Sequence, residues 1–346
     1  MSTSHLAQEI AQQPTVIARL LAENSPQVAR VAQAIRDFNP TFVAIAARGT
    51  SDNAARYAQY AFGVLLGLPV MLAAPSLHTI YQAPPNLARA LVIGISQSGQ
   101  AEDVRRVLQD ARQQGALTLA ITNYPDSPMA QTAIHHLALL ADEEVSIAAT
   151  KTYTAQLTVL AMLVNALADR PHLRDELSQV PRLVQETLDL SANIADWAER
   201  YRYMEKFAVL GRGYNYSTAF EISLKVNELA YIATTAYSEA DFRHGPIAMV
   251  QTGFPALLIA PQGALLDNMR DLAEKLSERG AERIVISNDP TMLAYGHKVV
   301  RVPEVAEWLS PLICVIPGQI FAMHQALTRG YPVDKPRGLS KVTITE

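Results

Sequence analysis

An internal repeat constrains this chain more than any other feature. Val92–Asn123 (VIGISQSGQAEDVRRVLQDARQQGALTLAITN) aligns without a gap to Leu257–Asn288 (LLIAPQGALLDNMRDLAEKLSERGAERIVISN), 165 positions further on, and Gln97/Gln262, Arg105/Arg270, Gly115/Gly280, Ala116/Ala281, Ile121/Ile286 and Asn123/Asn288 coincide. Upstream of each copy, FVAIAARGT (42–50) and FAVLGRGY (207–214) are apolar runs ending in Arg-Gly. Each copy reads as strand, polar turn, amphipathic helix, glycine, strand. The strands are continuously apolar rather than alternating, which implies burial on both faces and hence a parallel sheet covered by helices on both sides. The expected fold is α/β, two tandem αβα sandwiches of flavodoxin-like type related by duplication.

The rest of the chain is placed around those repeats. Residues 4–37 read as short helices, with Pro14 able to begin one and Asn24-Ser25-Pro26 capping another with Pro at its first turn. Residues 171–206 connect the repeats in helical period, burying Leu183, Leu188, Ile194 and Trp197. Pro317–Arg329 is an apolar helix ended by Gly330-Tyr331-Pro332. The expected division is 1–185, 186–332 and a tail, 333–346. The apolar stretch 155–168 is interrupted by Gln156, Thr158 and Asn165 and is shorter than the about 20 residues of a membrane span, so it reads as a buried helix.

Charged residues are 18% of the 346 and the net charge is −4, which leaves no basic field for a nucleic acid. Cys314 is the single cysteine, so an intrachain disulfide and a cysteine zinc cluster are excluded. His135 and His136 are adjacent and no HExxH occurs, so no metal and no cofactor are expected. The first residues lack a basic segment followed by an apolar one, which points to a cytoplasmic protein with no membrane partner.

The chemistry is sought where the two copies differ. The strand-end turn is Ser96-Gln97-Ser98-Gly99 in the first copy and Pro261-Gln262-Gly263-Ala264 in the second, which lacks the hydroxyls. A second strand end in the first copy, Gly49-Thr50-Ser51-Asp52, adds two more. Such hydroxyls commonly serve only as helix caps. Two such turns at equivalent strand ends, where helix N-termini present free amides, suit an anion. Neither GxxxxGK[ST] nor GxGxxG is present, so a phosphate monoester is favoured. In the second copy Glu221, Lys225 and Glu228 fall on one helical stripe after a strand-end turn; the bland alternative is a solvated Glu–Lys pair. His244 stands in ADFRHGP (240–246) and Lys335 in the tail sequence DKPR.

Together the segments ARGTSDNAARYAQY, ISQSGQAEDV, GALTLAITN, AATKTYTAQL, LGRGYNYSTAFEISLKVNELAY, DFRHGP and DKPRGLSKVTITE, in this order, resemble the sugar isomerase (SIS) domain family. The branch is the one containing the isomerase half of glucosamine-6-phosphate synthase and stand-alone glucosamine-6-phosphate deaminases. The resemblance implies two tandem SIS domains and a 6-phosphosugar substrate whose phosphate is held by Ser51, Ser96, Gln97 and Ser98. It implies that Thr50, Ile147 and Ala148 contact the sugar, that Glu228 is the proton-transfer base, and that Lys225 lies near the reacting end. By the same resemblance His244 opens the ring from a neighbouring subunit, so at least a homodimer is implied, and Lys335 is the catalytic tail lysine. Two departures stand out: Ala101 replaces a Thr of the phosphate loop and Ala149 a Ser near the sugar. No glutaminase segment is present. The expected activity is therefore conversion of glucosamine-6-phosphate to fructose-6-phosphate and ammonia. A deglycase, a plain phosphosugar isomerase and a non-catalytic sugar-phosphate sensor are the alternatives.

Overall fold

The structure is a computed structural model that describes residues 4–341. It divides into two compact units: one holds Thr15–Glu144, Lys151–Ser178 and the chain from Ser340, the other the chain up to Pro14, Val145–Thr150 and Gln179–Leu339. The first unit contains β1 (Phe42–Ala46), β2 (Val70–Leu72), β3 (Ala90–Ile95), β4 (Leu117–Thr122) and β5 (His135–Ala138), all parallel, in the order β2-β1-β3-β4-β5. The second contains β6 (Lys206–Gly211), β7 (Ala233–Ser238), β8 (Pro255–Ile259), β9 (Glu282–Ser287) and β10 (Lys298–Arg301), parallel in the order β10-β9-β8-β6-β7. Read from the opposite edge, the second order is the first repeated. The duplication visible in the sequence is thus a duplication of the doubly wound sheet.

The inner strands β1, β3, β4, β6, β8 and β9 are buried along most of their length because helices cover them. In the first unit Val104, Val107, Leu108 and Ala111 of helix Glu102–Gln113 pack on Ala44, Ala46 and Val92. In the second, Met269, Leu272, Ala273 and Leu276 of helix Leu266–Glu278 pack on Ala208, Leu210 and Leu258. Both helices end at glycines of positive φ, Gly115 (+84°) and Gly280 (+71°), where the chain turns back into the next strand.

Three expectations about helices are corrected. Pro14 does not begin a helix but lies inside His5–Glu23. A proline there deprives the Ile10 carbonyl of its usual donor, and the side-chain amide of Gln13 donates to that oxygen instead, at 2.9 Å. Asn24 takes the N-cap position of helix Ser25–Phe38, but its side chain makes no cap bond there; its Nδ2 donates instead to the carbonyl of Ala138 at the end of β5 (2.8 Å). The last helix is Ser310–Thr328, with Pro317 inside it rather than at its start. Between the repeats Leu183, Ile194 and Trp197 are buried as expected, whereas Leu188 is half-buried and Val184 and Thr187 take the inner face. Lys151–Ala168 is the buried helix anticipated for 155–168. One segment, Glu307–Thr328, is long and apolar enough to cross a membrane, and most of it is buried inside the fold.

Helix Asn215–Ala230, which carries Glu221, Lys225 and Glu228, lies against helix Ser310–Thr328. The approach is close at Gly318, where an added Cβ would fall 2.2 Å from a side-chain carbon of Ile222. Gly318→Ala should therefore overpack this contact and lower stability by about 1–3 kcal/mol. Urea denaturation of the two proteins measures it; an unchanged midpoint would show that the helices separate freely.

Candidate active site

In the first sheet β1 runs out to β2 on one side and β3 returns on the other, so the order of strands reverses between β1 and β3. Ligands of such sheets bind beyond the carboxyl ends of the strands at that reversal. Both hydroxyl turns stand there. Thr50 and Ser51 open helix Thr50–Leu66 just after β1, and Ser96, Gln97 and Ser98 follow β3 directly. No side chain caps either adjoining helix: the N-cap positions are Gly49 and Ala101. The hydroxyls bond locally, Ser96 Oγ accepting from the amide of Gly99 (3.2 Å) and Ser98 Oγ from that of Gln100 (3.3 Å). Gly99 has a φ of +66° and an added Cβ would fall 2.2 Å from Ser127 Oγ, so only glycine permits this tight turn. Buried Ser51 accepts from Nε2 of buried Gln156 at 3.0 Å. Filling an oxygen lone pair in this way leaves the Ser51 proton to donate, the polarity an anion needs.

The corresponding reversal in the second sheet, between β6 and β8, is filled by the protein itself. Ala264, the counterpart of Gly99, donates its amide to Glu307 Oε2 (3.0 Å), and Gly263 leaves the space that the Glu307 carboxyl occupies. Burial and the Glu307 charge push the nearby Tyr214 phenol up to about 12. The second copy has lost its hydroxyls where a side-chain carboxylate takes the place of an external anion.

The Glu–Lys stripe is not a solvated pair. Lys225 is 1% exposed and Glu221 is fully buried; Lys225 Nζ lies 2.6 Å from Glu228 Oε2 and 3.5 Å from Glu221 Oε1. Glu228 keeps 23% of its side chain open. Proximity to a strand-end turn does not explain the stripe, however. Glu228 is near the C-terminus of its helix, and at about 1.5 Å per residue it stands ~20 Å from the end that follows β6. Asn227 Oδ1 accepts from the amide of Thr234, tying this end to the start of β7 (3.0 Å).

His244 follows helix Glu239–Arg243, which follows the far end of β7. Ser238 caps that helix through the amide of Asp241 (3.1 Å), and buried Glu239 is bridged to Arg212 at the end of β6 (2.6 Å). Within one chain His244 and Glu228 therefore sit near opposite ends of β7, Glu228 by its start and His244 beyond its carboxyl end. The His244 ring is exposed and has no hydrogen-bond or ion-pair partner among the described residues. Ile147, half-buried beside buried Ala148, donates its amide to the carbonyl of Asp334 (3.1 Å), and the Asp334 carboxylate accepts from the amides of Leu6 and His5 (2.8 and 3.1 Å). Lys335 itself is exposed and bonds to nothing described. The tail also carries Lys341, whose Nζ meets buried Glu144 at 2.9 Å; Glu144 accepts from Thr152 N and Oγ1 as well (3.1 and 2.7 Å). Residues 342–346 lie outside the described residues.

The structure thus gathers Glu221, Lys225 and Glu228 into one cluster and joins Ile147 to the tail, and it puts Thr50, Ser51, Ser96, Gln97 and Ser98 on adjacent strand ends. It brings neither His244 nor Lys335 into contact with Glu228. Gln156, Glu144, Lys341 and Glu307 were missed from sequence. Gln156 had a visible signal, an amide in an otherwise apolar buried helix; the others have none, since their partners are distant in sequence. Among the described residues no group of three or more His, Cys, Asp or Glu could hold a metal ion.

Removing the ammonium between two carboxylates leaves Glu221 in the interior without its cation. Lys225→Ala should cost about 3–5 kcal/mol of stability, read by chemical denaturation, whereas a loss under 1 kcal/mol, typical of an exposed pair, would contradict the burial.

Comparison with known proteins agrees with this architecture. The SIS domain model matches residues 38–166 and 203–329. Glutamine–fructose-6-phosphate aminotransferase (isomerizing) of Acinetobacter baylyi is 32% identical over 99% of this chain, which spans 59% of that relative. Among solved structures, the C-terminal domain of glucosamine-fructose-6-phosphate aminotransferase from Francisella tularensis superposes with a TM-score of 0.87 at 25% identity, covering 96% of this chain and 98% of that one. A glucosamine-6-phosphate deaminase from Thermotoga maritima shares the fold at 21% identity, with a TM-score of 0.82 over 99% and 100% of the two chains. With two copies of the domain covering most of its length, on two sheets of the same strand order, this chain belongs to the SIS domain family.

Proposed function

We propose that the protein is a 6-phosphosugar isomerase that releases ammonia, taking glucosamine-6-phosphate and water to fructose-6-phosphate and ammonia. The observation that carries this reading is the buried lysine between two carboxylates, of which one, Glu228, remains partly open. Such a carboxylate is held in place by the ammonium yet available to a substrate. The relatives named above carry fructose-6-phosphate or glucosamine-6-phosphate in their names.

In this reading the hydroxyls of Ser51, Ser96 and Ser98, with Gln97 and the uncapped helix amides, hold the phosphate. Thr50 and the segment of Ile147 and Ala148 contact the sugar. After ring opening Glu228 takes the C2 proton and returns it to C1, so that the enolamine becomes a ketimine. Water adds at C2 and ammonia leaves. One carboxylate serving both carbons needs no redox group, and a general base of this kind contributes about 10²–10⁴-fold. Lys225 steadies charge near the reacting end. Its ammonium also fixes the Glu228 rotamer.

His244 opens the ring from a second copy of the chain. Its place beyond the carboxyl end of β7, the end away from Glu228, supports a homodimer. Mixing inactive Glu228→Gln and His244→Ala proteins and letting subunits exchange should then restore about a quarter of wild-type activity, since half the dimers carry one intact site in two. No recovery would place both residues in one subunit's reaction, and a His244→Ala protein active before mixing would remove His244 from it.

The tail supplies a cation to the developing enolate or enolamine. By resemblance this is Lys335, yet the lysine held by a buried carboxylate is Lys341. Lys335→Ala and Lys341→Ala, assayed separately, decide between them. A loss of about tenfold or more in kcat at Lys335 supports the assignment, and a loss at Lys341 alone moves the role six residues along.

The defining assay follows ammonia and fructose-6-phosphate from glucosamine-6-phosphate with purified protein. Equal amounts of both are expected. Fructose-6-phosphate formed from an aldose phosphate but no ammonia from the amino sugar would indicate a plain isomerase. Turnover only of an amine-linked sugar phosphate would indicate a deglycase. Binding without turnover would indicate a sensor.

A further inference from the structure

The two copies differ at a second place, which the proposed reaction does not use. In the first unit Asn123, just after β4, is fully engaged: its Nδ2 donates to the carbonyl of Asp142 (2.6 Å) and its Oδ1 accepts from the amide of Ala141 (3.0 Å). The loop after β5 closes on it. Its counterpart Asn288, just after β9, uses only its oxygen, which accepts from the amide of Gln262 at 2.7 Å. That bond fixes the orientation of the amide, so the remaining group is the NH₂ donor. Asn288 is 6% exposed and its Nδ2 is buried with no partner among the described residues. A buried donor left unmade costs about 1–3 kcal/mol, and such groups are rare unless a ligand or water completes them.

Asn288 lines a cavity of about 490 Å³ at the carboxyl ends of β9 and β10, closed on its far side by helix Val180–Leu190. That volume falls in the range of small-molecule sites, about 300–1,000 Å³. Leu183 and Val302 give it an apolar wall. Two guanidiniums, Arg182 and Arg301, share the lining with Glu186 and Glu304. Arg182 is paired to Glu186 (3.0 Å), whereas Arg301 and Glu304 have no ion-pair partner among the described residues.

We propose that this cavity is a binding site for a small metabolite bearing an oxyanion, a phosphate or a carboxylate. The oxyanion accepts from Asn288 Nδ2 and the Arg301 guanidinium, while a donor group elsewhere on the ligand meets Glu304. The residues belong wholly to the second unit and include none assigned to the reaction, so the site is separate from the catalytic one and its ligand is an effector rather than the substrate.

The test is methyl NMR of the full-length protein, titrated with inorganic phosphate and, separately, with L-glutamate. The methyls of Leu183 and Val302 report this cavity, and those of Ile45 and Ile95 report the strand ends of the first sheet. Saturable shifts at Leu183 and Val302 with at least one probe are expected. Arg301→Glu, a change at an exposed position, should weaken them about tenfold or more while leaving any response at Ile45 and Ile95 intact; Asn288→Ala should weaken them as well. Response to phosphate but not glutamate assigns a phosphate ligand, and the reverse a carboxylate. No saturable shift with either probe, or shifts that survive Arg301→Glu unchanged, would overturn the proposal.

Discussion

An ammonium group that is 1% exposed has given up its hydration, and a protein interior tolerates this only where carboxylates replace the water. Lys225 has two, and the proton transfer proposed for Glu228 depends on that arrangement. The pair with fully buried Glu221 fixes one side of the lysine, so the other carboxylate, Glu228, is held in register without being sealed in. The helix bearing all three is itself fixed by its close contact with the last helix at Gly318 and Ile222. Charge, position and access are thereby divided: Glu221 balances the lysine, Lys225 orients its neighbour, and Glu228 stays open to a reactant.

The duplicated sheets show how one framework is specialised twice. At the strand reversal of the first sheet, hydroxyls and uncapped helix amides are left for an external anion, and Ser51 is oriented by Gln156 so that its proton points outward from that bond. At the same reversal of the second sheet Glu307 supplies the anion internally, and the hydroxyls are gone. The asparagines after β4 and β9 diverge in the opposite sense, since the first is satisfied by its own loop and the second is left with a donor unused. Each difference concerns which polar groups the chain completes by itself, while the apolar scaffold stays the same.

Fold class was legible because it rests on local pattern: continuous apolar strands, glycines at +165, and an amphipathic helix between. The phosphate turns were legible for the same reason, since Ser96–Ser98 and Thr50-Ser51 adjoin strand ends in sequence. Where the sequence reading failed, the deciding contact was distant. Pro14 sits within a helix because Gln13 replaces the missing donor, which spacing does not reveal. The stripe of Glu221, Lys225 and Glu228 was legible as a stripe, but its burial came from the last helix, about ninety residues on. It was also placed at the wrong end of the sheet: an antiparallel return of four turns carries Glu228 away from the strand end that precedes its helix. Lys341, Glu144 and Glu307 gave no local sign at all.

The central claim is that Glu228 moves a proton between C1 and C2 of a 6-phosphosugar. Deuterium incorporation tests it without requiring net turnover: fructose-6-phosphate is incubated with the protein in D₂O and the C1 protons are followed by NMR. The account predicts steady washout of one C1 proton by the wild type and a rate at least about 10²-fold lower for Glu228→Gln, with fold and stability retained. Washout by the variant at the wild-type rate would contradict it.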